Sequence, residues 1–259
     1  MLTTRNTRAH AEPLRLDVRH FLLPKENAAP DECEDAIGIN ERTRTYAIAD
    51  GATEAFDSGN WAKRLAGSWV ETEPAPLSIE SFQEWVAAQS RLLHESWQGR
   101  TLTWYAEEKA RRGSFAAFVG VRFRASENLL GWDAIALGDC CLIHSRGGSV
   151  LLSLPVAHHE NFNSTPLLVP SHESMHASAL GQASVRAGTA ERGDVFLLLS
   201  DAGAAWYLKL CADASPVRAQ FDSLLAATQN ESLAELLRNE RRAGALKDDD
   251  VAALRISIA

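Results

Sequence analysis

Apolar and polar residues alternate through Leu-Arg-Leu-Asp-Val-Arg-His-Phe, residues 14–21, the pattern of a strand with one buried face. Two further runs, 34–39 and 46–50, flank the polar stretch 40–44 and predict a hairpin. With its turn near Arg42 and Thr43, Asp35 lies across from Asp50. The period then becomes helical. Asn60 is a candidate cap for a helix carrying Trp61, Leu65 and Trp69, and the segment with Pro74 and Pro76 breaks it. Ser78 is a candidate cap for a second helix, whose apolar face carries Phe82, Trp85, Val86, Leu92, Leu93 and Trp97. A third spans 104–112. From Gly113 strands return at 114–123, 132–137, 140–145 and 149–154, the last two joined by Arg146-Gly147-Gly148. Residues 155–176, rich in Pro, His and Ser, predict a long irregular loop. Strands at 183–187 and 195–200 follow, then helices at 202–211, 216–228 and 232–243, and a last strand at 251–258.

Blocks of strands separated by blocks of helices predict an α+β fold with antiparallel sheets. No composition shift or repeat divides the chain. The expectation is a flexible segment over residues 1–13 and a single domain over 14–259.

Composition narrows the partners. The 259 residues are 46% hydrophobic and 23% charged, ordinary for a globular protein, with a formal net charge of -8. That charge argues against nucleic acid or an anionic membrane as partner, since both need a basic footprint. No apolar run approaches the roughly 20 residues of a membrane span, and the amino end lacks the apolar core of a signal peptide. Cys33, Cys140, Cys141 and Cys211 form no CxxC pair, which points to a reducing, cytoplasmic compartment. Cys140 and Cys141, adjacent in a strand, point to opposite faces and read as one buried and one half-exposed thiol, with no catalytic role.

Candidate chemistry lies at acidic strand ends. Tyr46-Ala47-Ile48-Ala49 runs into Asp50-Gly51, where a glycine lets other backbone come close. Residues 195–200 run into Asp201, and Asp248-Asp249-Asp250 opens the last strand. Antiparallel neighbours would gather Asp50, Asp201 and Asp249 at the same sheet edge. Their all-oxygen chemistry suits Mg2+ or Mn2+ rather than zinc. Asp248 and Asp250 read as solvated neighbours. Which of Glu34 and Asp35 faces the site is a matter of one residue of register. His158, His159, His172 and His176 read as surface histidines, Ser114 as the start of a buried strand, and the tryptophans as core.

The ordered set Glu34-Asp35, Ala49-Asp50-Gly51, Gly113-Ser114-Phe115-Ala116, Gly138-Asp139, Gly193-Asp194 with Ser200-Asp201, and Asp249-Asp250-Val251 resembles the type 2C metal-dependent serine/threonine protein phosphatases, in a divergent bacterial branch. The resemblance runs from about residue 15 to the end, and the order of these short motifs carries it. It implies a four-layer sandwich of two antiparallel sheets flanked by helices, and a signalling hydrolase acting on phosphoserine or phosphothreonine in proteins, the targets of a Ser/Thr kinase. It also implies a pair of Mg2+ or Mn2+ ions, with a third held loosely. Asp50 would bridge the pair and the Gly51 carbonyl would ligate one ion, while Asp201 and Asp249 hold the other. Glu34 or Asp35 would act at or behind the second ion, and Asp139 would serve the third; Asp35, Asp50 and Asp201 carry the catalytic expectation.

The chain departs from the family pattern in three places. Ala52 follows Asp-Gly where a His or Met is frequent, so leaving-group protonation would fall to water or to a residue such as His20. Pro30 stands where a phosphate-holding Arg is common, with Arg19 and Lys25 as candidate substitutes, and Cys140-Cys141 follows Gly138-Asp139 where Ser-Arg is usual. These departures leave two alternatives: a weakened pseudophosphatase that binds phosphoproteins, and a hydrolase of small phosphoesters.

Overall fold

The structure is a computed structural model that describes residues 14–72, 77–125, 130–163 and 165–259. The expected flexible amino segment and the break at Pro74 and Pro76 lie outside these residues.

Two antiparallel sheets form the centre. The first contains β1 (Leu16–Leu23), β6 (Cys141–Arg146), β7 (Ser149–Leu154), β10 (Asp194–Leu199) and β11 (Val251–Ile258), in the order β1-β11-β10-β6-β7. The second contains β2 (Asp35–Asn40), β3 (Thr45–Gly51), β4 (Phe115–Ala125), β5 (Leu130–Leu137) and β9 (Ser184–Ala190), in the order β2-β3-β4-β5-β9, with β8 (Val169–Pro170) paired to β4. Against the second sheet lie α1 (Ser58–Glu71) and α2 (Ile79–Trp97), and α3 (Trp104–Arg112) follows them in the chain. Against the first lie α5 (Asp201–Ala212), α6 (Pro216–Ala226) and α7 (Asn230–Arg242). The short α4 (His176–Ala179) sits beside α2 and β8. The four-layer sandwich expected from the resemblance is the observed architecture.

The apolar pattern explains the layers. Tyr46 and Ile48 of β3 point to the other sheet and pack with Val119, Val121, Phe196, Leu198, Leu254 and Ile256. Their alternates Ala47 and Ala49 point outward, under Trp61, Leu65 and Trp69 of α1. Strands covered on both faces read as continuous apolar runs, which is why β3 and β10 show little alternation. On the far side Leu197 and Leu199 meet Trp206, Phe221, Leu233 and Leu237 from the helices. Each such fully buried side chain contributes about 1.5–3 kcal/mol.

Local readings hold unevenly. Ser78 caps α2 by accepting from Ser81 N–H at 3.1 Å. The helix expected to start at Asn60 starts earlier, after Asp57 in the left-handed region (φ 56°). The Asp57 carboxylate accepts from Asn60 and from Trp97 Nε1, so Asn60 lies inside the first turn. The expected long loop is largely organised: Phe115 pairs with Pro170, and Val169 O accepts from Trp61 Nε1 at 3.0 Å. His176 is buried rather than superficial, its Nε2 lying 3.1 Å from Pro170 O and 3.3 Å from Ser90 Oγ. Cys140 and Cys141 do face opposite ways, into the inter-sheet and outer cores, but both are buried because helices cover the outer face too.

Candidate functional site

The carboxylates converge at one end of the sandwich. Asp35 and Asp50 stand opposite each other in the β2–β3 register, as the hairpin reading expects. Asp201 follows directly on β10 and Ser200, and Asp249 lies just before β11, while Ser200 N–H donates to Ala252 O at 3.1 Å. Asp201 and Asp249 therefore sit at adjoining strand ends of the first sheet, whereas Asp50 belongs to the second. The expected single sheet edge is corrected to one end shared by two sheets. Face-to-face packing of the two apolar surfaces brings those ends together, a pairing that strand periodicity in one chain segment does not encode.

Asp35 is almost fully buried, at 2% exposure, and neither carboxylate oxygen has a donor within ordinary hydrogen-bond distance and angle among the described residues. Burial first, then the charges of Asp250, Asp201 and Asp249, raise its pKa well above the usual carboxylate range; the nearby Ser200 hydroxyl opposes them. Asp50 is raised in the same way, by burial and then by Asp35, Asp201, Asp139 and Asp249. Asp139, in the β5–β6 turn, is pushed up to about 7 by burial and by Asp201. Like charges gathered in a desolvated place disfavour one another unless a cation joins them.

Glu34 faces elsewhere. Its Oε1 accepts from Ser58 Oγ at 2.6 Å at the start of α1, and its Oε2 lies 3.6 Å from Lys25 Nζ. One residue of register thus gives Asp35 to the carboxylate cluster and Glu34 to its flank. Gly51 N–H donates to Glu34 O at 3.2 Å. A Cβ on Gly51 would stand 2.6 Å from the Ser58 carbonyl, so the close backbone approach expected of this glycine is real and belongs to the first turn of α1.

The acids on the first sheet are held by neighbours. Asp201 Oδ1 accepts from Ala202 N–H, and Asp249 Oδ1 accepts from Asp250 N–H at 3.0 Å. Their Oδ2 atoms meet Lys247 Nζ at 3.4 and 2.6 Å. Burial works against the charge of Lys247, but Asp249 and Asp201 outweigh it and raise its pKa. Asp250 is no solvated neighbour: it is buried, and accepts from Lys25 N–H and Glu34 N–H, each at 2.8 Å. It ties the segment between β1 and β2 to the start of β11. Asp248 fits the solvated reading, accepting from Glu26 N–H.

Sequence reasoning missed Lys247, Arg241 and the clamping role of Asp250. Arg241 of α7 is buried and donates to Pro24 O and Asp249 O, bracing the acidic turn from behind. The signal for Lys247 was its position beside the acidic triplet; nothing local marks Arg241. A cavity of about 430 Å³ opens beside the cluster, lined by Asp139, Asp201 and Lys247 and by His159, Phe162 and Lys209. His20 and Arg19 do not belong here. They lie mid-strand in β1, opposite Leu254 and Arg255, and Arg19 pairs with Asp17 at 2.7 Å. Lys25 is the candidate cation that the structure keeps near Glu34.

Among the described residues no group of three or more His, Cys, Asp or Glu side chains is already arranged as a ligand set for a metal ion. The donor chemistry nevertheless fits a hard divalent cation: oxygen donors only, a buried unpartnered carboxylate at Asp35, and mutual repulsion that a cation would relieve. No helix among the described residues is long and apolar enough to cross a membrane.

No protein-family model matches the chain, and neither does any curated protein. Solved structures do match. The catalytic domain of the serine/threonine protein phosphatase PstP, in complex with two manganese ions, superposes with a TM-score of 0.62 at 17% identity, over 95% of this chain and 99% of that one. The Mycobacterium tuberculosis serine/threonine phosphatase PstP/Ppp matches with a TM-score of 0.59 at 17% identity, over 95% and 98%. The photosystem II phosphatase PBCP matches with a TM-score of 0.55 at 17% identity, over 95% and 99%. The chain therefore has the fold of these phosphatases along nearly its whole length.

Proposed function

We propose that residues 14–259 form one catalytic domain that hydrolyses phosphoserine or phosphothreonine in proteins with the help of divalent Mg2+ or Mn2+. The observation that carries this reading is Asp35, a buried carboxylate without a hydrogen-bond partner, set among Asp50, Asp201 and Asp249. An enclosed group of acids costs stability and makes chemical sense once it holds cations. The similarity in fold to PstP, solved with manganese, supports the same reading.

In this proposal Asp50, the Gly51 carbonyl, Asp201 and Asp249 would hold the divalent ions. Divalent ions held there would supply an activated water and neutralise phosphoryl charge. Asp35, opposite Asp50 in the β2–β3 register, would turn its unpartnered carboxylate to the bound ions, and Glu34 stands at the flank of the site. Asp139 forms the side next to the cavity and serves a third, loosely held ion. Lys25 takes the place of the missing arginine as the cation for the substrate phosphate. Ala52 carries no transferable proton and His20 is remote, so the leaving oxygen takes its proton from water.

Hydrolysis of p-nitrophenyl phosphate and of a phosphothreonine peptide, with Mn2+, Mg2+ or EDTA, tests the proposal. Turnover that needs metal and is lost in Asp201→Ala is expected, with preference for the peptide over small esters. A folded protein that binds Mn2+ but turns over neither substrate would establish the alternative, a phosphoprotein-binding module. One observation favours that second reading: the ammonium of Lys247 between Asp201 and Asp249.

A further inference from the structure

Each of the two first-sheet acids has one carboxylate oxygen committed and one in play. Asp201 Oδ1 is taken by Ala202 N–H and Asp249 Oδ1 by Asp250 N–H. The remaining oxygens, Oδ2 of each, both meet the ammonium of Lys247, at 3.4 Å and 2.6 Å. Among the described residues no other cation lies within ion-pair distance of either acid. The oxygens that accept no backbone hydrogen bond, and so lie most open to a divalent ion, are the ones Lys247 holds. A small dication such as Mg2+ takes its oxygens at about 2.0–2.1 Å. An ammonium pointing its hydrogens at the same two lone-pair regions competes directly for that place.

The attachment of Lys247 suits such a role. Its backbone is pinned: Leu246 before it is buried, and its carbonyl accepts from Asp249 N–H at 3.0 Å. Its side chain is 64% exposed and borders the 430 Å³ cavity, so the ammonium has open space to enter without disturbing the fold. We propose that Lys247 is a tethered cation that shares the Asp201–Asp249 position with a divalent ion, so that this position is loaded by exchange, the ion entering as the ammonium leaves. The inference rests on reading these acids as metal ligands. It assigns Lys247 two effects of opposite sign: it steadies the acidic cluster when no dication is bound, and it weakens dication binding at this position.

Lys247→Met, which keeps the length of the side chain and removes the charge, separates the two effects. Mn2+ binding is measured by calorimetry on the full chain at fixed pH and ionic strength, and the melting temperature is measured in EDTA and in saturating Mn2+. Losing a solvent-accessible ion pair predicts Mn2+ affinity tightened by about 5-fold. The melting temperature in EDTA falls, and the value in saturating Mn2+ does not. Lys209→Met, an exposed lysine on the same cavity that touches neither acid, is the control for general charge and leaves the isotherm unchanged. Coincident isotherms for wild type and Lys247→Met, an equal tightening in Lys209→Met, or an unaltered melting temperature in EDTA would overturn the exchange while leaving the phosphatase reading intact. A wild type that binds no Mn2+ while Lys247→Met binds it is the same exchange at its limit. If neither binds Mn2+, the metal-site reading falls first and the exchange with it.

Discussion

Strand β10 begins on one aspartate and is followed, two residues past its end, by another, and the two ends behave oppositely. At its start Asp194 is wholly buried yet fully served: Arg146 donates to both oxygens at 2.5 and 3.0 Å, and Glu191 N–H and His144 Nε2 lie 3.0 Å from Oδ2. Burial works to raise its pKa, but these hydrogen bonds outweigh burial and bring it down to about 2. Just past the other end, Asp201 joins Asp35, Asp50, Asp139 and Asp249, where burial and like charge push Asp35, Asp50 and Asp139 upward. An acid whose partners are built into the chain is an element of structure. A cluster of acids short of partners is a place for a cation from outside, and here the chain supplies one local stand-in, Lys247.

The sharpest way to break this contrast is to neutralise one acid at each end. Asp50→Asn is expected to lower metal-dependent turnover by more than about 100-fold, since a ligand should cost more than its supporting partners do. Its melting temperature in EDTA should nonetheless rise, because repulsion is relieved; a fall would mean that Asp50 is structural. Asp194→Ala should do the reverse, costing about 3 kcal/mol in urea unfolding by leaving Arg146 and His144 without their acid, with Mn2+ affinity unchanged. Arg241→Met tests whether the acidic turn is braced from α7. The expected outcome is a loss of about 2 kcal/mol in stability together with roughly 10-fold weaker Mn2+ binding, read by unfolding and calorimetry on one preparation. The smallest effect is in acid. Because the folded pKa of Asp194 is depressed to about 2 from a usual 3.8, its contribution is complete above about pH 4 and is lost as pH falls toward 2. Wild type should therefore lose about 1–2 kcal/mol more than Asp194→Asn between pH 4 and pH 2. Parallel curves for the two proteins would show that the hydrogen bonds to Asp194 do not hold in solution.

The legible parts of the site were those written in a single element. Asp50-Gly51 ends an apolar run, Asp201 ends another, and Asp35 follows from the hairpin by pairing alone. Gly51 was marked as a place of close approach, and the approaching group proved to be the Ser58 carbonyl. Asp250 was misread as a surface acid because its two donors, Lys25 N–H and Glu34 N–H, come from more than 200 residues away. The Cys140–Cys141 pair, read as one buried and one half-exposed thiol, and His176 were misread in the same direction, since all three are buried. Their burial depends on helices and on a strand-like segment, β8, that local periodicity does not announce.

The sequence by itself determined the strand and helix blocks, a hairpin that brings Glu34 or Asp35 close to Asp50, and an acidic, oxygen-only chemistry at strand ends. These follow from side-chain period and residue type, which act over neighbouring positions. Only the tertiary structure decided that the acids of two different sheets share one end of the sandwich, that Glu34 turns away to Ser58 and Lys25, and that Lys247 takes the free oxygens of Asp201 and Asp249. Those outcomes depend on which apolar faces bury against each other and where that packing leaves charge uncompensated. Such quantities belong to the assembled core rather than to any stretch of chain.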